Sequence, residues 1–247
     1  MSKMNASKLL TLPVLITSAI NVSAAKTVLT DAKARLELTL NSVQQWRETQ
    51  GVSHVIVCDG SGFDLGSHID NIFSNQKSVG CEVISFTNDV AGVKAKGKGY
   101  GEGEIVNYAL QHSQVLKGAS HFAKCTGKLW VENFAACLNG FNGLAAFDFR
   151  GNFKPVQIDT RFYIVNKDFF VTNMAALHHC VNDSNGFYLE HAFRVGLQSR
   201  ALSDYVMYPT PRIKGVSGSM GVHFETSRAK AALRDVRSLM IKLARMD

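Results

Sequence analysis

A chain of 247 residues with 46% apolar and 19% charged residues can bury a substantial core, and this balance excludes wholesale disorder. The formal charge of +7 invites an anionic partner, but the lysines and arginines are spread along the chain without an RNP pattern, zinc-finger spacing or basic-aromatic ladder, which excludes the common nucleic-acid-binding designs. Five cysteines (Cys58, Cys81, Cys125, Cys137, Cys180) form no CxxC pair, and several sit in apolar runs, so they read as free thiols in a reducing, cytoplasmic compartment.

In chain order, Leu-Pro-Val-Leu-Ile-Thr-Ser-Ala-Ile (12–20) reads as a first buried strand. With Lys3 and Lys8 ahead of it and Ser23-Ala24-Ala25 behind, the same segment also has the shape of a secretory leader, which would make the protein a secreted one. It is too short for a membrane span, which needs about 20 residues. Thr30-Asp31 can cap a helix running to about Thr49, with Leu36, Leu40, Val43 and Trp46 on one stripe. A strand over 54–58 follows, ending in Asp59-Gly60-Ser61-Gly62, then a helix over 65–74 and a strand over 81–86. This alternation predicts an α/β fold with a mostly parallel sheet.

Next comes Lys96-Gly97-Lys98-Gly99-Tyr100-Gly101, expected to be a glycine-rich loop opening a helix over 102–113. A strand over 120–129 carries Lys124-Cys125-Thr126-Gly127-Lys128. Strand-like pieces fill 144–165, and helices are expected over 167–180, 187–202 and 226–245, with a turn at 182–186.

Three glycines, two interleaved lysines and a helix start would form an anion cradle, because backbone N–H groups there point at the ligand. Asp59, followed at once by Gly-Ser at the carboxyl end of a strand, can accept hydrogen bonds from a ribose or base; a βα turn with an acidic cap explains it equally well. Glu104 reads as an offset to the helix dipole, and Glu102 as a partner for sugar hydroxyls.

The segment Cys58-Asp59-Gly60-Ser61-Gly62-Phe63-Asp64 resembles the V-D-G-S-x-x-D signature that ends an early strand in GT-A-type glycosyltransferases. Lys98-Gly99-Tyr100-Gly101-Glu102 leading into Tyr108-Ala109-Leu110, followed by Lys124-Cys125-Thr126-Gly127-Lys128, is similar to a family of bacterial cell-surface polysaccharide glycosyltransferases, over most of the chain. The resemblance implies a single Rossmann-like, GT-A-type domain over 1–247, with a central sheet flanked by helices. It also implies transfer of a sugar from a nucleotide-sugar donor to a glycan or lipid-linked glycan acceptor, in building lipopolysaccharide, O-antigen or capsule.

By matching positions it nominates Asp59, Lys98, Gly101, Glu102, Lys124, Thr126, Gly127 and Lys128 for the donor. Lys128 stands where the family usually has arginine, and lysine lacks the bidentate fork. Ser61, Asp159 and Arg161 join the donor-binding set, although acid–arginine pairs such as Asp159-Thr160-Arg161 and Asp148-Phe149-Arg150 suit ion pairing better than a metal.

No DxD motif is present, so no cofactor is expected, and Lys124 and Lys128 are expected to offset the leaving phosphate in place of a divalent metal. A general base for the acceptor is sought in Asp183 and Glu190, with His191 sharing the proton. A sugar-phosphate nucleotidyltransferase and a non-catalytic nucleotide- or glycan-binding module are the alternatives. On the last helix Leu233, Val236, Leu239, Met240 and Leu243 form an apolar stripe among Arg228, Lys230, Arg234, Arg237, Lys242 and Arg245. It reads either as a surface for an anionic membrane or as a helix docked on the sheet.

Overall fold

The structure is a computed structural model that describes residues 10–22, 27–73, 79–150, 157–197, 201–218, 221–225 and 227–244. The first apolar run is a strand, β1 (Leu12–Ser18), buried at every position; residues 1–9 and 23–26, which carry the rest of the leader reading, lie outside the described residues. α1 (Ala32–Glu48) follows, and the Asp31 carboxylate accepts from the Ala34 amide at 2.9 Å as its N-cap. Then come β2 (Val52–Asp59), α2 (Gly66–Phe73) and β3 (Cys81–Ser85). α3 (Val90–Lys96), α4 (Lys98–His112) and α5 (Gln114–Gly118) lead to β4 (His121–Thr126) and β5 (Leu129–Val131). α6 (Phe134–Asn139), β6 (Ala145–Arg150), β7 (Gln157–Asn166), α7 (Lys167–Asn173) and α8 (Leu189–Gly196) come next. β8 (Ile213–Val216), β9 (His223–Phe224) and α9 (Arg228–Ala244) complete the described elements.

Six strands form a central sheet in the order β3-β2-β1-β4-β7-β6, and β5, β8 and β9 make a small second sheet. β3, β2, β1 and β4 run parallel; β7 is antiparallel to β4, and β6 to β7. The expected α/β fold with a mostly parallel sheet therefore stands. Alternate residues of each strand point to opposite faces, and both faces are covered. Leu15, Ile56 and Phe122 pack towards Ile105, Val106 and Ala109 of α4. Ile16, Val57 and Cys125 pack on the other side towards Val43 and Trp46 of α1. Burial on both faces explains why these strands read as unbroken apolar runs.

Two expected helices are shorter than read: the one over 167–180 ends at Asn173, before a separate 3-10 turn at Leu177–Cys180, and the one over 187–202 ends at Gly196. Three further departures change the site or the surface. The glycine-rich stretch is not a loop: α4 begins at Lys98, and only Gly97, at φ +106°, breaks the chain between α3 and α4. Its helical glycines serve close packing, since a methyl at Gly103 would lie 2.1 Å from His178 Cβ. The expected strand over 120–129 is cut by a turn at Gly127-Lys128, where Lys128 takes a left-handed φ of +72°.

The third departure is α9. Leu233, Val236, Met240 and Leu243 are exposed, whereas Ala231, Ser238 and Ile241 are buried. Arg234 and Arg237 turn inwards to the buried carboxylate of Asp148 on β6. A buried acid needs a cation, so Arg234 and Arg237 face the body while Lys230 stays exposed. The basic residues expected to meet a membrane are thus partly consumed inside; Arg245 and the side chain of Arg228 lie outside the described residues. No helix among the described residues is long and apolar enough to cross a membrane.

Candidate functional site

From β1 the chain moves to β2 and β3 on one side of the sheet, then returns to β4 on the other. Ligands in open α/β sheets bind beyond the carboxyl ends of the strands at such a reversal. A cavity of about 320 Å³ lies there, of the size of small-molecule sites. Thr17 and Ser18 line it from the end of β1, and Thr126, Gly127 and Lys128 from the end of β4. One face of α4 supplies Lys98, Gly101, Glu102 and Ile105 at helical spacing, and Arg35, Thr160, Arg161, Glu190 and Phe224 close the remaining sides.

One end of the cavity is basic. The Lys128 side chain is buried, with 3% of the residue exposed, and burial followed by the nearby Arg35 pushes its ammonium down to about 7 against the pull of Asp59. The Arg35 guanidinium donates to the carbonyls of Ala19 and Leu29, which fixes the turn after β1. Burial also lowers the pKa of Arg35, with Asp59 opposing. Beside this pair the Thr17 and Ser18 hydroxyls are buried without a hydrogen-bond partner among the described residues. Buried polar groups are normally satisfied, so orphans lining a cavity mark a place where water or a ligand completes the bonding.

The other end carries carboxylates. Lys124 is fully buried on β4 and gives its three protons to Glu102, to Thr126 Oγ1 at 3.0 Å and to the Thr160 carbonyl at 2.9 Å. This ties Glu102 tightly. Among the described residues Glu190 on α8 accepts only a hydroxyl proton, from Thr160 Oγ1 at 3.2 Å.

Of the residues nominated by sequence, Lys98, Gly101, Glu102, Thr126, Gly127, Lys128, Arg161 and Glu190 come together around the cavity. The others do different work. Asp59 is fully buried and does not line the cavity: its oxygens accept from the amides of Ile20 (2.9 Å) and Ser61 (2.8 Å) and from the Ser61 hydroxyl. Ser61 in turn accepts from the Ile20 and Asn21 amides at 3.1 and 3.0 Å, so this pair braces the loop after β1 and lies outside the cavity lining. Lys124 lies beneath the cavity and holds Glu102, with no proton left for a phosphate. Asp159 takes a two-pronged contact from Arg161, whose pKa it raises against the effect of burial.

Asp183 accepts from the Lys98 amide at 3.0 Å and so caps the start of α4; a methyl at Gly97 would lie 2.1 Å from its carboxylate. That position holds the start of the helix, outside the cavity lining. His191 accepts from the Tyr188 amide at 3.1 Å through Nδ1 and meets Gln157 at 2.8 Å through Nε2, so its ring closes the start of α8.

Sequence reading missed Arg35, Thr17, Ser18 and Phe224. Arg35 left a signal: with Thr39, Ser42 and Trp46 it repeats at steps of four, three and four, and all four are buried. Phe224, whose ring lies 4.4 Å from the Arg161 guanidinium carbon, follows an irregular segment and left none.

No protein-family model matches the sequence, and no curated protein matches it. Solved structures do. A protein described as a glucose-1-phosphate thymidylyltransferase, from Bacillus anthracis and solved with sucrose, superposes with a TM-score of 0.51 at 11% identity, covering 91% of this chain and 96% of that one. Core-mannan synthase A from Aspergillus fumigatus, in its Mn/GDP form, superposes with a TM-score of 0.51 at 12% identity, covering 98% of this chain and 88% of that one. The bifunctional glycosyltransferase WbbM matches at a TM-score of 0.43 and 11% identity over 71% of this chain; the chain spans only 35% of that enzyme, and so loose a likeness carries no argument. Identities this low establish a fold, and the fold is one shared by a nucleotidyltransferase and a glycosyltransferase alike.

Proposed function

We propose that this chain is a glycosyltransferase that takes a sugar from a nucleoside-diphosphate sugar and passes it to a hydroxyl of a growing surface glycan such as lipopolysaccharide, O-antigen or capsule. The observation that carries this reading is the cavity at the β1/β4 reversal, with buried cations and orphan hydroxyls at one end and an available carboxylate at the other. The resemblance of Lys98 to Glu102 and Lys124 to Lys128 to surface-polysaccharide enzymes supports the substrate class.

In an inverting transfer the acceptor oxygen attacks the anomeric carbon, the bond from that carbon to the phosphate oxygen breaks, and a base takes the acceptor proton. Glu190 suits that base better than Glu102. Glu102 is held by the buried Lys124 ammonium and is not free to turn to an acceptor, whereas among the described residues Glu190 meets only the Thr160 hydroxyl. The departing diphosphate would leave its charge at Lys128 and Arg35, aided by the Thr17 and Ser18 hydroxyls. Glu102, facing the cavity from α4, would accept from sugar hydroxyls.

Assay of a panel of nucleotide sugars with glycan acceptors tests the proposal. Glu190→Gln is expected to lower kcat by about 10²- to 10⁴-fold while nucleotide affinity stays unchanged. Pyrophosphate release from a nucleoside triphosphate and a sugar 1-phosphate would instead make the protein a nucleotidyltransferase. Nucleotide binding without any turnover would make it a binding module.

A further inference from the structure

We propose that the cavity holds a nucleoside diphosphate without a divalent cation, the buried ammonium of Lys128 beside Arg35 supplying the countercharge. This rests on the donor site proposed above. The residues at the end of β4 do not fit a metal. Glu102 is bound by Lys124 and Glu190 by Thr160, and among the described residues no group of three or more His, Cys, Asp or Glu side chains is arranged to hold one. A divalent ion would also have to sit against Lys128 and Arg35, whose charges repel it.

The same charges fit an anion. The Lys128 ammonium makes no hydrogen bond or ion pair to a described residue, although the Lys128 carbonyl accepts from the Val216 amide at 3.2 Å, and Arg35 bonds to carbonyls that leave its charge intact. The one acid acting on both is Asp59, whose carboxylate is already occupied by the Ile20 and Ser61 amides and the Ser61 hydroxyl. Two buried cations thus share one carboxylate. An uncompensated buried charge is costly, and a phosphate would remove that cost. The Thr17 and Ser18 hydroxyls, buried and unbonded on the same cavity wall, are donors that phosphate oxygens can accept from.

Proton uptake follows. The other charged groups lining the cavity are Lys98 and Glu102 on α4, Arg161 on β7 and Glu190 on α8. With the cavity empty Lys128 sits at about 7, and an anion beside it returns the ammonium to its ordinary range. Diphosphate affinity therefore falls by up to about tenfold for each pH unit above that value.

The test is calorimetric titration with UDP, GDP, CDP and dTDP in EDTA and in Mn²⁺, between pH 7.5 and roughly 9.5, a range above the second phosphate ionisation. At least one should bind equally in EDTA and Mn²⁺, and more weakly as pH rises. Lys128→Met should lose about 10- to 100-fold in affinity, while the empty protein's Tm rises by about 2–4 °C. Lys128→Arg should still bind, with the pH slope gone. Binding that needs Mn²⁺, or an unchanged affinity in a folded Lys128→Met, overturns this inference and leaves the donor reading standing. If none of the four nucleotides binds the unaltered protein, both fall.

Discussion

Two groups of buried charge lie on opposite sides of β4 and differ in one respect. Towards β6 and β7, Asp148 faces Arg234 and Arg237, and Asp159 faces Arg161, so every acid meets its cation from within the chain. Towards β1, Lys128 and Arg35 share Asp59, and two hydroxyls beside them have no partner among the described residues. The first group is complete and holds elements together. The second lacks an anion and is arranged for one to arrive. Buried charge alone therefore says little about function; whether the chain supplies the matching charge says more.

The comparison breaks most clearly at Asp148. Asp148→Ala would leave Arg234 and Arg237 half-buried without an acid, at a cost of about 3 kcal/mol in urea unfolding, with nucleotide affinity unchanged. Burial pushes the Asp148 carboxyl up while Arg234 holds it down; a near-neutral substitution would show that the balanced group is ornamental.

Lys124→Met should cost somewhat less, about 2 kcal/mol, because the abandoned Glu102 is partly open to water. Since Lys124 touches no ligand space, much of its effect should appear in unfolding. Turnover falling with stability intact would return it to the phosphate.

The basic group should behave with the opposite sign. Lys128 has a folded value near 7 against an ordinary 10.5, so between these the unfolded chain binds the proton that the folded protein has released. Stability of the empty protein then rises with pH across that window, and Lys128→Met removes the slope. A thermal scan at pH 7 and 9 checks it. Smallest of all, Asp183→Ala should cost about 1 kcal/mol, the worth of an N-cap, and leave transfer intact. Loss of turnover without loss of stability would restore Asp183 as a base.

Much of the fold was legible because β1, β2 and β4 are apolar on both faces and Asp31 marks the start of α1. The site was legible in part. Lys98, Gly101 and Glu102 fall on the cavity because helical spacing holds whether or not the glycines look like a loop. Asp59 and Lys124 fall outside the cavity lining for a physical reason: a conspicuous polar residue at a strand end can either line a cavity or hold the neighbours that do, and sequence does not separate the two. Arg35 was overlooked because a search for an apolar stripe passes over Thr39 and Ser42. On α9, the apolar stripe suggested the inner face, but the buried Asp148, some eighty residues earlier, reversed the helix.

The pairing of Asp148 with Arg234 also bears on synthesis. β6 is an edge strand of the sheet, and an open edge can pair with another chain. Its cover arrives late: Met207 donates to the Phe147 carbonyl, and Arg237 to that of Phe149. Arg234 follows Asp148 by 86 residues. At 5–20 residues per second the ribosome needs on the order of 5–20 s to bridge that gap. During that interval a nascent chain shows an unshielded strand edge with an unpaired acid on it. That charge discourages a neighbouring chain from adding a strand until the molecule's own arginines have emerged.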